Sequence, residues 1–317
     1  MNSIWHQLDQ ARTDLSDGKL CAIPTETVYG LAARFDHPEA ILKIFEVKER
    51  PFFDPLILHI GRLQQIEELT EEFSELAEGL AKEFWPGPMT MVLKKSLKVD
   101  ERITAGLETV GIRMPSHPLC LRLLRNLRSA VAAPSANRFG KTSPTRASHI
   151  REEFPDQNFF ILDGGDSSLG IESTVLRPDK QKIQILRPGP IGETQLRAFL
   201  VKFELSHIEI TTESSQHSPG HMKHHYQPAI PLVWSQRPVL SSSDLESIQR
   251  NLRVSNLRHK SLDLPRDAKL AARVLYSQLR ELSQAPIDFI FFCPPLDAEG
   301  DWTAVYDRLS KASSLQI

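Results

Sequence analysis

Short apolar runs alternate with segments of helical spacing along most of this chain, and that alternation restricts its fold more than any other feature. Runs at 20–24, 56–60, 89–94, 110–114, 129–134, 158–162, 171–177 and 182–187 are too short for helices and read as strands. Among them, 4–16, 38–49, 72–84, 117–127 and 145–152 place apolar residues at helical intervals, as Ile41, Ile44 and Phe45 do. The prolines of WPGP (85–88) stop the third of these helices. This order predicts an α/β fold whose sheet is mixed rather than cleanly parallel.

The composition changes at 211–231, TTESSQHSPGHMKHHYQPAIP, which is polar, carries three prolines and has no apolar period. It reads as an extended linker or a flap. Beyond it, a strand at 232–234, a helix over 266–284, the strand DFIFF (288–292) and a helix near 302–313 predict a small second α/β unit. A chain of 317 residues with a formal charge of −2 has room for a large core. It lacks the basic excess of a purely electrostatic nucleic-acid footprint. Cys21, Cys120 and Cys293 show no C-x-x-C spacing and read as reduced thiols. No stretch approaches the roughly 20 apolar residues of a membrane span, and the first residues lack a signal peptide's apolar core. The expected compartment is the cytoplasm, with no membrane partner.

The standard phosphate loop, the dinucleotide fingerprint and the nucleophile elbow are all absent from the sequence. LDGGDSSLG (162–170) reads as a turn. Polar segments stand instead at the predicted strand ends: PTETVYG (24–30), KERPFFDP (48–55), TVGIRMP (109–115), APSANRFGKTSP (133–144), IESTV (171–175) and ILRPGP (185–190). Such ends are the usual place for a ligand in an α/β sheet. Lys48, Arg50, Arg113, Lys141 and Arg187 could converge there on phosphate or carboxylate, Arg through paired contacts and Lys as a point charge. Arg113 lies inside a strand, where a charge needs a partner. Singly, each cation reads as a surface ion-pair partner, the S-x-N of APSAN as turn chemistry and His59 as a satisfied histidine. Together they indicate a pocket for an anionic small molecule. His217, His221, His224 and His225 could form a zinc tract, but no Cys, Asp or Glu stands among them, so no metal held by side chains is expected.

Taken in order, IPTETVYGLA (23–32), KERPFFDPLILHI (48–60), FWPGPMTMVL (84–93), VGIRMPSHP (110–118), APSANRFGKTSPT (133–145), GIESTV (170–175) and ILRPGPI (185–191) resemble the YrdC-like family. The particular resemblance is to its two-domain L-threonylcarbamoyl-AMP synthases. SPGHMKHHYQP (218–228) is similar to that group's linker, and the tail resembles its small C-terminal domain. The resemblance implies a YrdC-like catalytic domain over 1–200, a linker or flap over 201–231, and a C-terminal α/β domain over 232–317. It further implies a twisted sheet with a basic concavity and a reaction of ATP, L-threonine and bicarbonate. Threonylcarbamoyl-AMP would pass to a downstream complex that completes the t6A modification of tRNA, with Mg²⁺ arriving on ATP. Its principal rival is an RNA-binding module, for tRNA or double-stranded RNA, without catalysis. The net charge favours at most weak tRNA binding.

Carried over residue by residue, the resemblance implies that Lys48 and Arg50 are catalytic. With Ser135 and Asn137 they would surround the nucleotide phosphates; Asp54, Thr109, Ser143, Arg187 and Tyr226 would complete the ATP site. Thr27, His59, Arg113, Ala133 and Ser173 would hold L-threonine, Arg113 at its carboxylate. His225 and Tyr226 would ride on a segment that closes over the pocket. Two positions depart from the family pattern: Asp54 stands where a neutral polar residue is usual, and Gln227 replaces a small one.

Overall fold

The computed structural model describes residues 4–212, 225–254 and 256–317. They divide into two compact units. One holds the chain up to Arg138, Pro144–Ser168, and the stretch from Glu172 to Thr212; the other holds Phe139–Ser143, Leu169–Ile171 and residues from His225 onward. No helix among the described residues is long and apolar enough to cross a membrane.

Ten strands form the sheet of the first unit: β1 (Cys21–Ile23), β2 (Gly30–Arg34), β3 (Ile57–His59), β4 (Met89–Lys94), β5 (Thr109–Arg113), β6 (Val131–Ala132), β7 (Phe160–Ile161), β8 (Thr174–Pro178), β9 (Lys182–Arg187) and β10 (Glu209–Thr212). Their order is β10-β9-β8-β4-β5-β3-β6-β2-β1-β7. Parallel pairs such as β3–β5 and β4–β8 lie beside antiparallel ones such as β4–β5, so the sheet is mixed, as expected. β2 begins on Gly30, the last residue of PTETVYG, and the apolar pattern does not predict it. Its GLAAR sequence is small and buried almost throughout, so no alternation marks it. Part of the stretch read as linker is regular structure, since β10 extends the sheet beside β9.

Residues paired across strands share a face, which sorts the sheet cleanly. Leu58, Ile112, Met91, Leu176 and Ile185 lie on one face, within the main core. Helices Pro38–Lys48, Glu75–Phe84 and Glu193–Lys202 pack on that face through Ile41, Ile44, Leu80 and Phe199. On the other face, helices Ile4–Ser16 and Pro118–Leu127 cover Cys21, Ala32 and Val131 of β1, β2 and β6. Continuing along that face, β3, β5, β4 and β8 carry Ile57, His59, Gly111, Arg113, Thr90, Val92 and Val175, which belong to neither helix-packed core. Helices thus pack on only half of this face, and the half they leave carries the polar residues.

The second unit has four strands, β11 (Leu232–Trp234), β12 (His259–Ser261), β13 (Phe289–Phe292) and β14 (Leu315–Gln316), ordered β12-β13-β11-β14. Every pairing among them is parallel, and helices Ser242–Leu252, Ala268–Ser283 and Thr303–Ala312 connect them. Gln227 N–H donates to Gly140 O at 2.7 Å, and Thr142 N–H to Gln227 O at 3.2 Å, tying 139–143 into this unit.

Candidate active site

The KERPFFDP turn is made by one left-handed residue. Helix Pro38–Lys48 ends at Glu49, φ 52° and ψ 37°, and Arg50 N–H closes the last turn on Phe45 O at 2.9 Å. This reversal brings Lys48 and Arg50, on either side of Glu49, into buried positions. Lys48 Nζ donates to Ser135 O at 2.6 Å and also to Asn137 O. Burial, and next the charge of Arg50, push its ammonium well below the usual lysine range. Lys48 therefore organises the APSAN backbone. That loop is fixed again by Ala133 N–H to Ile57 O at 3.0 Å and Leu31 N–H to Pro134 O at 2.8 Å.

Arg50 donates through Nε to Asp54 O at 3.1 Å and through Nη2 to Pro55 O at 2.8 Å. The Asp54 carboxylate lies 2.9 Å from Nη2 and is 1% exposed, yet neither of its oxygens takes a directed hydrogen bond. Asp54, the residue that departs from the family's neutral polar one, is thus turned toward Arg50.

Arg113, in β5, is 4% exposed and held from three sides. Nη2 donates to Glu26 Oε1 at 2.7 Å, Nη1 to Thr27 Oγ1 at 2.8 Å, and Nε to Gly87 O at 3.3 Å. Glu26 Oε2 accepts from Ser116 N–H at 3.0 Å. Burial opposes the Glu26 charge, but Arg113 and Ser116 outweigh it and hold the carboxyl below its ordinary range. His59 pairs with Arg113 across β3–β5, and its Nδ1 lies 3.2 Å from Ile57 O. Burial first, and then the Arg113 charge, lower its pKa to about 3, so the ring is neutral. Ala133 follows β6 and is buried.

Ser173 and Arg187 meet beside this group. Arg187 Nη2 donates to Ser173 O at 2.9 Å, and Ser173 Oγ lies 2.8 Å from Thr90 Oγ1. A β-bulge aims the arginine: Val175 pairs with Arg187 while Leu176 pairs with Ile185, so the extra residue, Leu186, turns Arg187 onto the Val175 face. Gly189 makes the approach possible, since a Cβ there would lie 2.3 Å from Thr174 N. A small pocket on the same face is lined by Ile57, Thr90, Val92, Thr109, Gly111 and Val175.

The first unit therefore brings together Thr27, His59, Arg113, Ser173 and Arg187 on one face, with Lys48, Arg50, Asp54, Ser135 and Asn137 around the adjoining turn and loop. Ser143 and Tyr226 cluster with the second unit. Tyr226 is 1% exposed there, its ring 4.2 Å from His225 and 5.9 Å from Tyr276 by centroids, with the Arg308 guanidinium 5.4 Å away. His225 also packs edge-on against Phe139. His217, His221 and His224 lie outside the described residues. Sequence reasoning missed Glu26 and Thr90. An acidic residue inside a strand-end motif was the available signal for Glu26; Thr90 carried none.

A family model for Sua5/YciO/YrdC proteins, described as telomere recombination, matches residues 13–189. The model for the threonylcarbamoyl-AMP synthase C-terminal domain matches residues 191–314. A threonylcarbamoyl-AMP synthase of Pyrococcus abyssi is 36% identical over 96% of this chain and 93% of its own length. That of Bacillus subtilis is 37% identical over 98% and 94%. The crystal structure of P. abyssi Sua5 complexed with L-threonine superposes with a TM-score of 0.84 at 33% identity, covering 100% of this chain and 97% of the other. The two family models together span residues 13–314 and the relatives match over nearly the whole length, so the chain belongs to the two-domain, Sua5-type threonylcarbamoyl-AMP synthase family.

Proposed function

We propose that the chain condenses L-threonine, bicarbonate and ATP into L-threonylcarbamoyl-AMP and pyrophosphate, the adenylate then serving t6A formation at position 37 of tRNA. The observation that carries this reading is the convergence of Arg113, Thr27, His59, Ser173 and Arg187 on the helix-free part of one sheet face. Arg113 keeps two N–H groups without a protein acceptor among the described residues, matching a planar carboxylate.

Threonine's amine forms an N–C bond with bicarbonate carbon as water leaves, giving a carbamate. A carbamate oxygen then bonds the α-phosphorus, and the bond to the β-phosphate bridging oxygen breaks with its electron pair on pyrophosphate. The protein's share is positioning and charge stabilisation. Arg113, with Thr27, His59, Ala133 and Ser173, is assigned to threonine. Neutral His59 offers a hydrogen bond without adding charge. Arg50 and Arg187 face the phosphates, and Lys48 shapes the Ser135–Asn137 backbone that lies along them. Thr109 belongs to the same nucleotide site. Ser143 and Tyr226 are assigned to it on resemblance alone. Mg²⁺ would arrive on ATP and offset the phosphate charge; the Asp54 carboxylate is turned toward Arg50.

Incubation with ATP, bicarbonate and a panel of amino acids tests the reading. Threonine-dependent pyrophosphate release with an adenylate of the expected mass supports it, and release indifferent to threonine overturns it. A salt-titrated binding measurement should find only weak tRNA affinity, as the −2 charge implies. The chain is assigned to the cytoplasm, where the adenylate is handed to its consumer.

A further inference from the structure

Nothing in the proposed reaction assigns a role to Glu26, although it is among the most constrained side chains of the first unit. It lies in the loop between β1 and β2, 5% exposed, with both carboxylate oxygens occupied: Oε1 by Arg113 and Oε2 by the Ser116 N–H. We propose that Glu26 is a positioning residue for Arg113, fixing the guanidinium plane so that its two uncommitted N–H groups meet the substrate carboxylate.

A guanidinium has five N–H donors in one plane. Three are tied, to two chain segments: Glu26 and Thr27 before β2, and Gly87 before β4. Thr27 is itself held, its Oγ1 lying 2.8 Å from Thr25 Oγ1. The plane is thus set before a ligand arrives, and Glu26 supplies its charged anchor. Only a carboxylate can fill that place. Both oxygens face donors, so an amide at this position would set its own N–H₂ against either Arg113 or Ser116. Glu26 also cancels the arginine's charge locally. A substrate carboxylate is then held by directed hydrogen bonds rather than by general attraction, which rewards an amino acid presented in one orientation.

The proposal rests on the reading that Arg113 receives the threonine carboxylate, and three variants separate the two. Glu26→Gln should raise the threonine KM about tenfold, the scale of one lost charge-assisted hydrogen bond, and leave the ATP KM within about twofold. Glu26→Asp keeps the charge and should recover part of the loss. If Glu26→Gln is not recovered folded, Glu26→Asp carries the test through the same split between substrates. Arg113→Ala tests the underlying reading: a threonine KM raised no more than the ATP KM sinks that reading. A selective effect of Arg113→Ala, with both Glu26 variants shifting the two KM values equally or not at all, sinks the positioning role alone.

Discussion

At Arg113 the carboxylate of Glu26 lies along a hydrogen bond of 2.7 Å, and its second oxygen takes a backbone N–H. At Arg50 the carboxylate of Asp54 is as near, 2.9 Å, yet takes no directed hydrogen bond. Both pairs are buried. The first is woven from segments distant in sequence, Glu26 standing 87 residues from Arg113. The second is closed within a single turn. A buried ion pair offsets its desolvation only with good geometry and further hydrogen bonds; both Glu26 oxygens are bonded and neither Asp54 oxygen is, so Arg113–Glu26 is the firmer pair. Arg50–Asp54 is the looser pair, with which the polyphosphate of the proposed nucleotide site would compete.

Four further measurements would break or sharpen this contrast. The largest effect should come from Arg113→Ala, which leaves the Glu26 carboxylate buried with one donor. Urea unfolding should show a loss of about 3–5 kcal/mol, and a loss below about 1 kcal/mol would remove the distinction between the pairs. His59 reports on the same side through pH. Its folded pKa of about 3 lies below the ordinary 6.5, so the unfolded chain binds a proton that the folded one refuses. Stability should therefore fall as pH drops from 6.5 toward 3. His59→Gln should flatten that slope by about 1.4 kcal/mol per pH unit, and an unchanged slope would show the ring protonated in the fold.

On the Arg50 side the effects should be smaller. Asp54→Asn removes the competing charge while Arg50 keeps its two carbonyl acceptors. Its ATP KM should fall about threefold, near 0.7 kcal/mol, and a rise would mean that Asp54 supports nucleotide binding. Glu49→Gly relieves a left-handed residue but adds freedom to the unfolded chain. These terms nearly cancel, so stability should change by less than about 1 kcal/mol. A larger loss would show that the exposed Arg138–Glu49 pair matters more than such pairs usually do.

The sequence exposed the parts of this architecture that depend on local pattern. β4 and β9 were readable to the residue, because large apolar side chains recur at every second position, Met89, Met91 and Leu93 in one and Ile183 and Ile185 in the other. β2 was hidden by small residues buried almost throughout, and the polar HKS of β12 carries no apolar signal. Helices Glu193–Lys202 and Ser242–Leu252 were also passed over. In the site, motif resemblance located the cations but not what holds them. Which face Arg187 presents depends on a bulge at Leu186, and the partner of Arg113 depends on sheet register. Neither is expressed in spacing along the chain.

The first unit's chain passes into the second for Phe139–Ser143 and again for Leu169–Ile171 before the bulk of that unit begins. Gly140 and Thr142 make their backbone bonds to Gln227, and Gly170 sits so close to the chain at Arg273 that a Cβ would come within 2.5 Å. No single cleavage can therefore release both units whole. A gene ending after codon 212 would encode a polypeptide whose FGKTS stretch had lost its backbone partner, Gln227.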